Sequence, residues 1–106
     1  MIIVNTEFVP GMRTIAYKGF VQGNTVRAKH VGRDIMAGLK NMVGGELKGY
    51  TELLTESRTE AMDRMVREAQ ALGANAVVNV RFSTSSVSQG AAELYVYGTA
   101  VDVAPE

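Results

Sequence analysis

The chain has no cysteine and no tryptophan, two prolines, and one histidine, His30, among its 106 residues. Without cysteine there are no disulfides, no thiolate metal ligands and no thiol nucleophile, a composition that suits a reducing compartment. Charge of one sign is also missing: eleven basic residues balance eleven acidic ones. Nucleic-acid binding normally shows as a basic excess gathered on one face, and no run of Lys and Arg supplies it, so nucleic acid is not an expected partner. No apolar run approaches the ~20 residues that span a bilayer, and the opening MIIVNTEFVPGM lacks the basic and long apolar regions of a signal peptide. The expectation is a cytoplasmic protein with no membrane partner.

What the chain does have is apolar and β-prone. Hydrophobic residues make up 46 %, enough for one domain spanning residues 1–106 and too short a chain for two. A short apolar strand at residues 2–4 precedes a Pro10-Gly11 turn. The following RTIAYKGFVQGNTVRA is rich in β-branched and aromatic residues, and its Gly23-Asn24 pair signals a turn, so a hairpin or bent strand pair is expected. In VGRDIMAGLKNMV, Ile35, Leu39 and Met42 recur at helical steps, interrupted by Gly38. A longer helix is expected over residues 51–72, its stripe made of Leu54, Ala61, Met62, Met65, Val66, Ala69 and Leu72. Glu60 with Arg64 and Asp63 with Arg67 pair at four-residue spacing on its other side. Thr51 is one candidate cap and Ser57, heading SRTE, another, while Gly73 ends the helix.

Two strands follow, NAVVNVRFST and AELYVYGTAVDV, separated by a polar SSVSQG turn. The last strand is apolar on both faces, with Leu94, Val96 and Ala100 on one and Tyr95, Tyr97, Val101 and Val103 on the other. One face meets helices; the other needs a cover, and another copy of the chain is the expected one.

Between the two helices lies NMVGGELKGYTELL. Gly44 sits where the first helix must stop, and Gly45 adds freedom or close approach. One reading is a tight interhelical turn; the other is an anion-binding concavity of backbone amides with Glu46 or Tyr50 facing a ligand. The run GGELKGYTELLTESRTEAMDRM, then ALGANAVVNVRF and YGTAV, resembles the YbjQ-like family of small bacterial and archaeal proteins, which carries a heavy-metal-binding label. The likeness covers nearly the whole chain and is carried by Gly44, Gly45, Glu46, Tyr50, Arg58, Ala61, Gly73, Ala74, Asn75, Ala76, Gly98, Thr99, Ala100 and Val101. It implies an α+β subunit similar to dodecin-like folds, a curved and mainly antiparallel sheet with two helices on one face, assembled into a homo-oligomeric ring of five.

The metal label meets a chemical difficulty, because soft metals prefer thiolate and imidazole and only His30 offers either. A ring would multiply that one imidazole around its axis; the alternative is a boundary or surface histidine. Met36, Met42, Met62 and Met65 lie on helical stripes and read as core. Glu46, His30, Arg58, Arg81 and Tyr50 are of types that catalyse, but no spacing ties them into a constellation. Tyr95 and Tyr97 share one strand face and suit either a flat ligand or interface packing. The expected function is a non-enzymatic oligomeric binding protein taking a metal or small anionic ligand between subunits, with Gly44, Gly45, Glu46, Tyr50 and Arg58 as the ligand-binding candidates and His30 as the metal candidate. A small enzyme using the same shared pocket, or a purely structural ring, is the alternative; the cofactor is unassigned.

Overall fold

A computed structural model of the chain describes residues 1–27, 48–88 and 91–106. Strands β1 (Ile2–Ile3), β2 (Met12–Arg27), β3 (Ala76–Ser88) and β4 (Ala91–Pro105) form one open four-stranded sheet in the order β1-β3-β4-β2. The sheet is mixed: β1 runs parallel to β3, while β4 is antiparallel to both β3 and β2. One helix, α1 (Lys48–Ala71), lies on it. The earlier expected helix, VGRDIMAGLKNMV, and the Gly44-Gly45 turn lie outside the described residues, so the described fold carries one helix where two were expected.

The expected break at Gly23-Asn24 is absent, and β2 runs unbroken through both residues. The glycine serves a different purpose. A Cβ at Gly23 would fall on the Ala61 carbonyl oxygen and 2.6 Å from the Met65 nitrogen. The α1 backbone therefore rests directly on the strand, which only a residue without a side chain permits.

Around this contact Val21, Ala61, Met65, Ala69, Val77, Val80, Val96 and Ala100 form the main core. Thr25 is buried beside it and donates its hydroxyl to the Ser57 carbonyl at 3.3 Å. Ser57 is not a helix start. It lies inside α1, nearly fully buried, and donates to the Leu53 carbonyl at 2.8 Å, as Thr59 does to Thr55 at 3.0 Å. Back-bonding of this kind lets Ser and Thr sit within a helix although their usual preference is its N-terminus. Leu54 and Leu72, expected on the buried stripe, are 45 % and 43 % exposed. Glu60 and Arg64 close the expected ion pair at 2.6 Å; among the described residues Asp63 and Arg67 form none.

Gly73 ends the helix as expected. It takes φ +77°, its N–H donates to the Gln70 carbonyl at 2.9 Å, and the Ala74 N–H donates to the Ala69 carbonyl at 3.1 Å. These two bonds satisfy carbonyls that the last turn leaves without helical donors. Asn75 then ties the exit to β4, its amide side chain bonding both the N–H and the carbonyl of Val103 at 2.8 and 2.9 Å.

A bulge divides the core. Asn79 takes φ +54°, and the β3–β4 register shifts between Val78 and Arg81. The extra residue turns Val80 onto the helix side with Val77, while Ala76 and Val78 face the other way. There they join Val101, Val103 and Val9 in a second cluster, flanked by Ile2, Val4 and Met12. This corrects the expectation that the second face of β4 must be covered by another copy: near the C-terminus the chain's own N-terminal segment does it. A second correction concerns the serines of SSVSQG. Those at 85, 86 and 88 belong to β3, which ends at Ser88 with β4 resuming at Ala91.

Gly23→Ala is expected to cost about 2–3 kcal/mol through overpacking against the helix backbone, read as a lower urea midpoint at unchanged slope. A midpoint equal to that of the unmodified protein would mean that α1 is not seated on this glycine.

Candidate functional site

Of the residues singled out by sequence, Gly44, Gly45, Glu46 and His30 lie outside the described residues. Tyr50 falls in the first turn of α1. Arg58 lies eight positions further on, about 12 Å along the helix axis. The Arg58 side chain is exposed and its guanidinium donates to Thr55 Oγ1 at 3.4 Å. Among the described residues it meets no carboxylate, so its charge is open to an incoming anion.

The exposed Arg81 guanidinium donates through Nη1 to the Asn5 carbonyl at 2.8 Å and the Val80 carbonyl at 3.1 Å. Tyr95 and Tyr97 do share a face, but they stack on each other, with centroids 5.3 Å apart and planes 25° apart. Phe20 packs beside Tyr97 at 6.2 Å. Each tyrosine thus already uses a ring face on its neighbour, which disfavours a flat ligand between them.

The structure also holds a recess that the sequence reading passed over. It measures about 360 Å³ and lies where α1 meets the edge of the sheet, bounded by Arg64 and Glu68 from the helix and by Gln22, Asn24, Glu93 and Tyr95 from the strands. Its polar groups are matched to one another. Tyr95 donates to Gln22 Oε1 at 2.6 Å and Asn24 Nδ2 to Glu93 Oε2 at 3.0 Å. The Gln22 N–H donates to Glu68 Oε1 at 3.2 Å, and Arg64 bonds both the Asn24 carbonyl, at 2.5 Å, and Glu60, at 2.6 Å. A base or an electrophile stabiliser works through groups free to meet substrate, and this recess spends its groups internally. Gly23, inside a strand rich in β-branched and aromatic residues, was the available signal for it.

The described residues do not fit a heavy metal. No three His, Cys, Asp or Glu side chains among them converge on a common point. The thioether of Met65 is fully buried in the apolar core. Soft-ion coordination needs several such donors gathered at one place.

Among the described residues, an open mixed sheet of four strands with a helix on one face defines an α+β fold. The chain belongs to the family whose model is described as "Putative heavy-metal-binding", which matches residues 1–104. It is 67 % identical over 101 residues to a UPF0145 protein of Hahella chejuensis, covering 95 % of this chain and 97 % of that one. It is 61 % identical over 101 residues to a UPF0145 protein of the archaeon Archaeoglobus fulgidus, covering 95 % and 94 %. The fold is similar to the crystal structure of a protein of unknown function from the DUF74 family of Pediococcus pentosaceus, at TM-score 0.64, 16 % identity and 98 % coverage of both chains. At that identity the likeness concerns the fold alone.

Because Arg58 is exposed and held only by a long bond to Thr55, Arg58→Ala is expected to change stability by no more than about 0.5 kcal/mol, measured by urea unfolding. A loss above about 1.5 kcal/mol would give Arg58 a structural duty and remove it as a ligand candidate.

Proposed function

We propose that the protein is a cytoplasmic, non-enzymatic binding module that works as a homo-oligomeric ring, with a small anionic ligand held between subunits near Glu46, Tyr50 and Arg58. The observation that carries this reading is the apolar surface left exposed among the described residues. Along β2, on the face of the sheet away from α1, Tyr17, Phe20 and Val26 are each between 52 % and 67 % exposed. Soluble monomers seldom leave a row of large apolar side chains in water along one face.

Shape points the same way. The molecule extends 54 × 26 × 16 Å with a radius of gyration of 17.1 Å, against about 13 Å for a compact domain of 100 residues. The sixteen residues of β2 alone account for the long axis at about 3.3 Å per residue.

The exposed guanidinium of Arg58 supports an anionic ligand. A metal would have to draw on His30 copies brought together by ring symmetry, since the described residues offer no donor set. The cysteine-free composition agrees with a reducing interior.

Light scattering coupled to size exclusion is expected to give one multi-subunit mass for the unmodified protein, and Phe20→Glu is expected to shift it to smaller species with the far-UV circular dichroism retained. A well-folded monomer at low micromolar concentration would overturn the oligomer. Native mass spectrometry of the unmodified and Arg58→Ala proteins tests the ligand: an extra mass on the first and not the second supports it, and bare subunit masses on both remove it. Metal content unchanged by His30→Ala would remove His30 as a ligand.

A further inference from the structure

β2 is the last strand on its side of the sheet, so among the described residues no strand pairs with its outer edge. A strand residue points its N–H and its carbonyl to the same side, so alternate residues present both groups outward. The outward positions here include Gln22 and Asn24, and both are taken by side chains of α1. The Gln22 N–H donates to Glu68 Oε1 at 3.2 Å, and the Asn24 carbonyl accepts from Arg64 Nη1 at 2.5 Å. Arg64 is held in place by Glu60 Oε1 at 2.6 Å. Gly23, between the two strand residues, brings the helix close enough for these side chains to reach around the edge.

Exposed strand edges recruit strands from other molecules, and proteins that remain discrete block them with charged side chains or cover them. This edge is long and carries exposed apolar residues, which makes it a hazard of that kind. We propose that the Glu60–Arg64–Glu68 row is an edge guard: it occupies the main-chain groups that a strand of a second copy would use, and so excludes open-ended sheet extension along β2. The guard stands on the geometry of the edge alone and holds whether the native particle is one chain or a ring, because it is tested by change from the unmodified mass rather than by that mass itself.

The test is Arg64→Ala combined with Glu68→Ala, followed by light scattering, thioflavin T fluorescence and circular dichroism. The expected result is a folded protein whose mass rises several-fold above the unmodified one, with growing thioflavin T signal. Adding Gln22→Pro removes the freed N–H at a position where an edge strand tolerates proline, and is expected to return the mass to the unmodified value. Glu68→Gln keeps an acceptor for Gln22 and is expected to behave as the unmodified protein. A folded double variant with unchanged mass overturns the guard, as does growth that persists with Gln22→Pro. Should the double variant fail to fold, Glu68→Ala alone decides: a mass equal to that of Glu68→Gln overturns the proposal, and a larger one supports it.

Discussion

The fold depends on one close approach, the backbone of α1 lying on β2 at Gly23. Because the Ala61 carbonyl and the Met65 nitrogen occupy the space where a side chain would stand, small and flexible residues join the valines around the contact. Ala61, Ala69 and Ala100 supply the first property and Met65 the second, all of them fully buried. A helix seated this low places its next side chains level with the strand's outer edge. That is why Arg64 and Glu68 bond main-chain groups of β2 instead of projecting into water. The absence of one side chain thus sets the core composition and the chemistry of the sheet edge together.

The second organising feature is the bulge at Asn79. In an uninterrupted strand Val78 and Val80 would share a face; the extra residue sends them to opposite faces and divides the core between two layers. One layer is sealed by α1 and the other by the N-terminal segment, whose Val4 carbonyl and Thr6 carbonyl accept from the N–H groups of Val80 and Asn79 at 3.1 and 2.9 Å. Asparagine suits the position, since it enters the left-handed region at lower cost than most side chains. That seal covers the end of β4 carrying Val101 and Val103. It leaves Tyr95, Tyr97 and Phe20 as a row on the remaining open part of the face.

Much of this was legible in the residues. The long helix, its closure at Gly73, the paired strands after it and the family likeness all rest on local signals that tertiary context did not override. The failures share a physical cause. Gly23-Asn24 and Ser57 carry the local signature of a turn and of a cap, but packing decides between such a signature and its alternatives. Gly23 answers to a helix approaching from nearly forty positions later in the chain, and Ser57 to a carbonyl one turn back. The recess escaped notice for the same reason, since its members come from β2, α1 and β4 and have no common spacing. The second face of β4 was correctly read as apolar; that the first few residues of the chain would cover half of it is a long-range fact without a local trace. Of the proposed site, residue types were legible and convergence was not, because convergence is a property of the packed chain.

The two edges of the sheet are treated differently. At β1 the N-terminal segment occupies the beginning of β3 through main-chain bonds; at β2 helix side chains occupy the strand through polar contacts. Both arrangements spend hydrogen-bonding capacity on closing the subunit. The recess, with its groups matched in pairs, is part of that closure. Among the described residues the exposed apolar surface includes Phe20, Tyr17 and Val26, with exposed charges such as Arg58 elsewhere. Such surface is suited to packing against a like surface, and it supplies no soft donors for a metal. On the reading proposed above, a site of higher chemical order is assembled by repetition, as a residue that is single in each chain becomes several around a symmetry axis. In that proposal, function and association are one physical problem.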